Sequence, residues 1–227
     1  MTNQYIGLCP SNQNAVFTFC NLNKQKNNPM RTLVFIVLIL CFGLNEGIAQ
    51  VPGNPEDISP LLISEKVPDA SVQSIEGESV SVAELLKERK SVLLFYRGGW
   101  CPYCNAHLSA VGESEQEILA LGYQIIAIAP DSPVQLKATT EKQKLNYKLY
   151  SDASGELMKA MGIAFKAPER YEKRLDNYSD GLNPGILPVP SLFVVDTDGT
   201  IIFEYINPDY KHRISSEMLM AVLNQLD

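Results

Sequence analysis

The stretch SVLLFYRGGWCPYCNAHLSAV, residues 91–111, sets two cysteines two residues apart. A thiolate, not a thiol, is the nucleophile of sulfur chemistry. The start of a helix favours it, because unpaired N–H groups and aligned peptide dipoles attract negative charge there. The sequence points to such a start. Ser91 to Tyr96 is an unbroken apolar run suited to a buried strand, Gly98-Gly99 interrupt it, and Leu108, Val111 and Ile118 then recur at the spacing of one helix face. Pro102 has a fixed φ that suits the first helical position. Cys101 is therefore expected to be the exposed, attacking sulfur, and Cys104, one turn in, the shielded sulfur that releases the mixed disulfide. Trp100 is a platform beside the attacking sulfur and Tyr103 an exposed contact for substrate. Arg97 and Arg213 could supply positive charge.

The remaining cysteines make this reading sharper. Met1 to Pro29 is rich in Asn and Gln, and from Met30 a single Arg31, an apolar run from Leu33 to Leu44 and the small-residue site Ile48-Ala49-Gln50 have the layout of a secretory signal. The apolar run is too short to span a bilayer, which needs roughly 20 residues. The expected organisation is a leader over 1–50, cleaved near Gln50, a linker over 51–66 and one domain over 67–227. Cleavage removes Cys9, Cys20 and Cys41 and leaves Cys101 and Cys104 alone. It also removes Lys24, Lys26, Arg31 and Glu46, a net +2, so the chain charge of −7 becomes −9. An acidic exported domain excludes nucleic acid as a partner, and no stable membrane insertion is expected once the signal is gone. A bridge closed by two residues cross-links almost no chain, so the pair is read as chemical, not as scaffold.

The elements that must position the pair can be followed along the chain. SVQSIEGESVS suggests a hairpin turning at Glu76-Gly77, followed by a short helix around Val82 to Lys87. The helix after the cysteines is expected to run to Gly122. YQIIAIA, residues 123–129, is the next buried strand, and Ser132-Pro133-Val134-Gln135 has the chemistry of a capping box opening a helix to about Leu145. YKLYSD is a short strand, GELMKAMG a short helix, and Pro190 to Val195 and TIIFEY a terminal hairpin. Leu219, Val222, Leu223 and Leu226 form the apolar face of a last helix. The order implies an α/β fold with a central mixed sheet flanked by helices. Ala164 to Leu187 is a charged, Tyr-bearing insertion ahead of the Pro190 strand.

WCPYC after an apolar strand, with Val-Pro ahead of LFVVDTDG, resembles the thioredoxin superfamily. FYRGGWCPYCNAHL, PVPSLFVVDTDGTI and INPDYKHRISSEML together resemble the AhpC/TSA peroxiredoxin-like family across Val67 to Leu226. The resemblance implies a thioredoxin-like three-layer fold, a cis Val189-Pro190 bond with Pro190 beside the cysteines, and main-chain groups of Val189 free to pair with substrate. The peroxiredoxin pattern P-x-x-x-[TS]-x-x-C falls on Arg97, Cys101 and Cys104, and its distant arginine falls on Pro190, so one position of four matches. Glutaredoxins share the Cys-Pro-Tyr-Cys motif, but their Thr-Val-Pro and Gly-Gly elements are absent here. The acid that thioredoxins bury under the disulfide has no counterpart in VLLFY, which leaves Cys104 without an assigned proton acceptor.

The expected function is an exported, periplasmic or extracytoplasmic thiol-disulfide oxidoreductase working without a cofactor. Its partners would be protein disulfides or dithiols, or a hydroperoxide, together with an electron donor. One alternative is a thiol peroxidase with Cys104 or Cys101 as peroxidatic cysteine. Another is a copper-binding or delivery module through Cys101, Cys104 and His107, although no second cysteine pair completes a zinc set and His212 is distant in sequence.

Overall fold

The structure is a computed structural model that describes residues 50–226. The expected leader, with Cys9, Cys20 and Cys41, lies outside the described residues apart from Gln50. Among the described residues nine strands and seven α-helices follow in chain order: β1 (Ser71–Gln73), β2 (Ser79–Ser81), α1 (Val82–Glu88), β3 (Lys90–Phe95), α2 (Pro102–Glu113), α3 (Glu115–Ala120), β4 (Tyr123–Ala129), α4 (Pro133–Gln143), β5 (Lys148–Ser151), α5 (Glu156–Ala160), β6 (Ala164–Lys166), α6 (Glu172–Tyr178), β7 (Ile186–Pro188), β8 (Ser191–Val195), β9 (Ile201–Ile206) and α7 (Ser216–Leu226).

The main sheet has the order β2-β1-β5-β4-β3-β8-β9. β3 runs parallel to β4, and β4 to β5, while β8 lies antiparallel to β3 and to β9. The sheet is therefore mixed, and β3, which leads into the cysteines, is central. Its side chains alternate between faces as the strand period demands. Val92, Leu94 and Tyr96 pack on one side with Cys101, Cys104, Leu108 of α2, Leu136 of α4 and Leu219 of α7. Leu93 and Phe95 pack on the other with Leu86 of α1 and Leu157 of α5. Both faces are covered, which is why β3 and β4 read as continuous apolar runs. The cysteines belong to the core on the α2 side.

Two local expectations change. The helix expected from the cysteines to Gly122 is two helices, because Ser114 (φ −92°, ψ 3°) tightens the last turn of α2 with a bond from its N–H to Val111 O at 3.1 Å before α3 restarts. Ser132 does not cap α4 with its side chain. It is buried, its Oγ has no partner, and its N–H donates to Tyr178 O at 2.6 Å. The insertion is structured as well: β6 and β7 pair as a second, two-stranded sheet, and α6 packs Leu175 beside Phe165, Leu187 and Val189. Residues 51–66 are laid against the domain, with Leu61 N–H on Met161 O at 3.1 Å and Ser64 N–H on Ile201 O at 2.8 Å.

The Val189-Pro190 bond is not cis, since no cis peptide occurs among the described residues. The surrounding hydrogen bonds give the reason. Pro188 closes β7 and Ser191 opens β8, so the chain is drawn out between two ladders. Val189 N–H donates to Ile163 O at 2.8 Å, its carbonyl accepts from Ser191 Oγ at 2.8 Å, and Pro190 O accepts from Asn207 N–H at 3.3 Å. Val189 is fully buried, so its main-chain groups are not free for a substrate strand.

Candidate active site

β3 ends by passing Tyr96 N–H to Ile128 O at 3.0 Å, and the chain must then turn at once into α2. Gly98 and Gly99 make the turn possible. Gly98 has φ +133°, and a Cβ there would strike Trp100 Nε1 and lie 2.6 Å from Asp131 Oδ1; one on Gly99 would collide with Thr139 Oγ1. The turn is fastened by Gly99 N–H donating to Asp131 Oδ2 at 2.6 Å, by Cys101 N–H on Gly98 O at 3.1 Å, and by Asn105 Nδ2 on Gly99 O at 2.8 Å. Cys101 is thereby the N-cap residue of α2, Pro102 its first residue and Cys104 one turn in.

Both cysteines are free thiols, and both are buried, Cys101 at 2% exposure and Cys104 at 1%. The expected contrast of exposed and shielded sulfur is absent, because Cys101 belongs to the same apolar cluster as Cys104 with Trp100 packed against it. Their electrostatics nonetheless differ sharply. The Cys104 thiol hydrogen-bonds to Cys101 and, against the cost of burial, helps hold it at a pKa of about 6, assisted by the Cys104 N–H and the charges of Arg97 and Arg213. Burial pushes Cys104 well above the ordinary thiol range, and its bond to Cys101 pushes it further, with Arg213 and the Arg97 N–H opposing. Near neutral pH, Cys101 is thus the thiolate and Cys104 the proton donor to it.

Arg213, half-buried on the segment before α7, places Nη2 3.7 Å from Cys104 Sγ and Nη1 2.8 Å from His212 O. Arg97, at the end of β3, is 3% exposed. Its guanidinium lies 4.3 Å from the Tyr210 ring centre, 4.9 Å from that of Tyr171 and 5.2 Å from that of Trp100. Three ring faces around a desolvated guanidinium replace part of its lost hydration. Neither arginine is a solvated surface group. Tyr103 is 45% exposed and meets Tyr210 edge-on at 5.7 Å.

The insertion contributes directly. Tyr171 tilts against Trp100 at 5.3 Å, and Arg174 lies 5.2 Å from the Trp100 ring centre. Two grooves result. One, of about 320 Å³, runs past Arg97, Tyr171, Pro190 and Tyr210; the other, of about 550 Å³, is floored by Gly99, Trp100 and Pro102. Pro190 is buried and shares the first groove with Arg97, while Val189 lies beneath it in the core.

Asp131 is the site residue that the sequence reading missed. Fully buried just beyond β4, it is raised to a pKa of about 7 by desolvation, opposed by the Gly99 N–H. The signal was an acid closing an apolar strand, in IAPDSP, where a buried carboxylate needs a reason. His107 does not join the cysteines as a metal ligand. Among the described residues no three His, Cys, Asp or Glu side chains are grouped to hold a metal. Burial, and then the Arg213 charge, lower the His107 pKa to about 4.

Comparison with known proteins gives the same fold and two neighbouring chemistries. The chain matches the AhpC/TSA family over residues 63–204. Thiol-disulfide oxidoreductase ResA of Bacillus thuringiensis subsp. konkukian is 24% identical over 181 residues, 79% of this chain and 89% of the relative. Peroxiredoxin Q, chloroplastic, of Gentiana triflora is 26% identical over 140 residues, 62% of this chain and 57% of the relative. Reduced Prx3 of Vibrio vulnificus, in complex with H2O2, superposes with a TM-score of 0.62 at 18% identity, covering 72% of this chain and 99% of that one. With a thioredoxin-like fold and a family match over more than half of its length, the chain belongs to the AhpC/TSA family and, like its thiol-disulfide oxidoreductase and peroxiredoxin relatives, is an oxidoreductase.

Proposed function

We propose that the protein is an exported thiol-disulfide oxidoreductase in which Cys101 attacks and Cys104 closes the intramolecular disulfide. The observation that carries this reading is the position of the pair, with Cys101 at the N-cap of α2 and Cys104 one turn in beside Arg213 Nη2 at 3.7 Å, and it is supported by the opposite pKa shifts of the two sulfurs. Cys101 thiolate attacks a disulfide sulfur, forms a mixed disulfide and releases one thiolate. Cys104 then attacks Cys101 Sγ, its proton goes to the second leaving thiolate, and an external dithiol restores the reduced pair. Trp100 and Tyr103 border the approach to Cys101, while Arg97 and Arg213 stabilise its charge. Pro190 serves as groove wall, without the main-chain docking first expected of Val189. Export rests on the signal-like segment from Met30.

A hydroperoxide as first electron acceptor is the second reading. Two observations favour it: both sulfurs are almost inaccessible, and the Val189 main-chain groups are occupied, which suits a small oxidant better than an extended peptide. One peroxide oxygen would pass to Cys101 as sulfenic acid while the other left as an alcohol or water. The Cys104 thiol would then displace water from that sulfenic acid to give the same disulfide.

Insulin reduction and hydrogen peroxide consumption, driven by the same dithiol, separate the two. The exchange reading expects faster insulin reduction, abolished by Cys101→Ser. Efficient peroxide turnover lost in Cys104→Ser but kept in Cys101→Ser would overturn the assignment of roles.

A further inference from the structure

The groove on the Arg174 side of Trp100 is chemically unlike the rest of the chain. The protein carries a net charge of −7, yet this cleft of about 550 Å³ is lined by two cations, Lys142 and Arg174, and by no acid. Neither cation is paired with a carboxylate among the described residues. Low-dielectric walls with one sign of charge focus the field on small ions of the opposite sign.

Asn105 Nδ2 is spent on Gly99 O, and Asn105 Oδ1 and Trp100 Nε1 are both sealed from solvent, so the two cations are the charged groups that the cleft presents. The cleft volume suits a small molecule, not a protein segment. Its floor residues Gly99, Trp100 and Pro102 flank Cys101 on both sides in the chain.

We propose that this cleft seats a low-molecular-weight acidic thiol compound in its disulfide form, with carboxylates at Lys142 and Arg174. The assignment rests on the reading of Cys101 as attacking sulfur, and it names the substrate class. For a symmetrical disulfide RSSR, Cys101 thiolate forms Cys101–S–S–R and expels RS⁻. Cys104 then closes the protein disulfide and passes its proton to the second RS⁻. The enzyme dithiol is oxidised as RSSR is reduced to two thiols, and the sequence runs backward when the thiol is in excess.

Trp100 is the chain's single tryptophan, so its fluorescence reports the cleft directly. S-methylglutathione, which cannot exchange, should change that fluorescence saturably, and its diethyl ester should bind about tenfold more weakly, a difference of ~1.4 kcal/mol. Lys142→Gln/Arg174→Gln should erase the preference for the acid. Equal affinity for the acid and the ester in the wild type, or no saturable change with either, would overturn the proposal. In Cys104→Ser, mass spectrometry should detect a mixed disulfide on Cys101 forming faster with glutathione disulfide than with cationic cystamine, and the reverse order also counts against it. Selective binding of S-methylglutathione without exchange by any disulfide would support the cleft while removing the oxidoreductase role assigned to Cys101.

Discussion

Cys101 and Cys104 have the same chemistry and nearly the same solvent exposure, yet burial weighs most on Cys104 while at Cys101 its neighbours outweigh it. The largest favourable influence on Cys101 is the Cys104 thiol itself, followed by the Cys104 N–H and the two arginines. Removing these donors one at a time should therefore give a ranked series. Cys104→Ala should raise the Cys101 pKa from about 6 most of the way to the ordinary thiol range, and Arg213→Ala should raise it less. Ultraviolet absorbance of the thiolate across pH measures both, with the signal appearing as pH rises through the pKa. At a fixed pH below the pKa, each unit of upward shift lowers the thiolate fraction about tenfold, equivalent to 1.36 kcal/mol. A larger shift in Arg213→Ala than in Cys104→Ala would show that the field of the arginines dominates, and the partner-thiol account would fail. Arg97 is the less informative substitution, because removing it also empties a cage of three aromatic rings.

The strand–turn–helix unit of β3, Gly98-Gly99 and α2 holds these residues in place, and α4 presses on it from the side. Gly99→Ala would drive a methyl into Thr139 Oγ1, which is tied to Gln135 O at 3.0 Å and has little room to yield. Overpacking of this kind costs about 1–3 kcal/mol. Urea unfolding should show that loss in Gly99→Ala and partial recovery in Gly99→Ala/Thr139→Ala; strictly additive effects would place the strain elsewhere. At this scale the sequence was readable wherever one periodic signal dominated. β4 spans the residues expected of YQIIAIA, and the short helix after the hairpin extends one residue beyond Lys87. Readability ended where a distant partner decides the geometry. Ser132 has the type and spacing of a cap, but its N–H is claimed by Tyr178 from the insertion. The cysteine pair was legible from its spacing and the helix start, whereas the burial of Cys101 depends on Trp100 and on contacts from other elements. An acid at the end of an apolar strand was legible in IAPDSP, but its role was not, because its partner, the Gly99 N–H, stands 32 positions earlier in the chain.

At the scale of the described chain, two buried carboxyls with raised pKa values, Asp131 and Asp152, tie stability to pH in an unusual direction. Asp152 accepts from Leu157 N–H at 3.1 Å and Met158 N–H at 2.8 Å at the start of α5, yet burial still lifts its pKa to about 6. Asp131, fully buried, stands at about 7. A carboxyl whose pKa is higher folded than unfolded binds its proton more tightly in the native state. Its contribution is therefore fully present below the unfolded value of 3.8 and is lost as pH rises through the folded value. Exposed acids such as Asp198, whose pKa is lowered first by its bond to Lys66, act in the opposite sense, but at lower pH and through a screened surface pair. Between pH 4 and pH 7 the upward shifts of Asp131 and Asp152 together exceed the opposing downward shifts of His107 and, above pH 6, of Cys101, so unfolding free energy should decline across that window. Asp131→Asn keeps an acceptor for the Gly99 N–H and has no proton to lose, so its profile should be nearly flat from pH 4 to pH 6, where the loss from Asp152 is offset by His107, whose lowered pKa acts in the opposite sense. Denaturant melts of the reduced protein at half-unit steps of pH test this. A wild-type profile that rises from pH 4 to pH 7, or an Asp131→Asn profile parallel to it, would mean that the Asp131 carboxyl is solvated and ionised in the native protein.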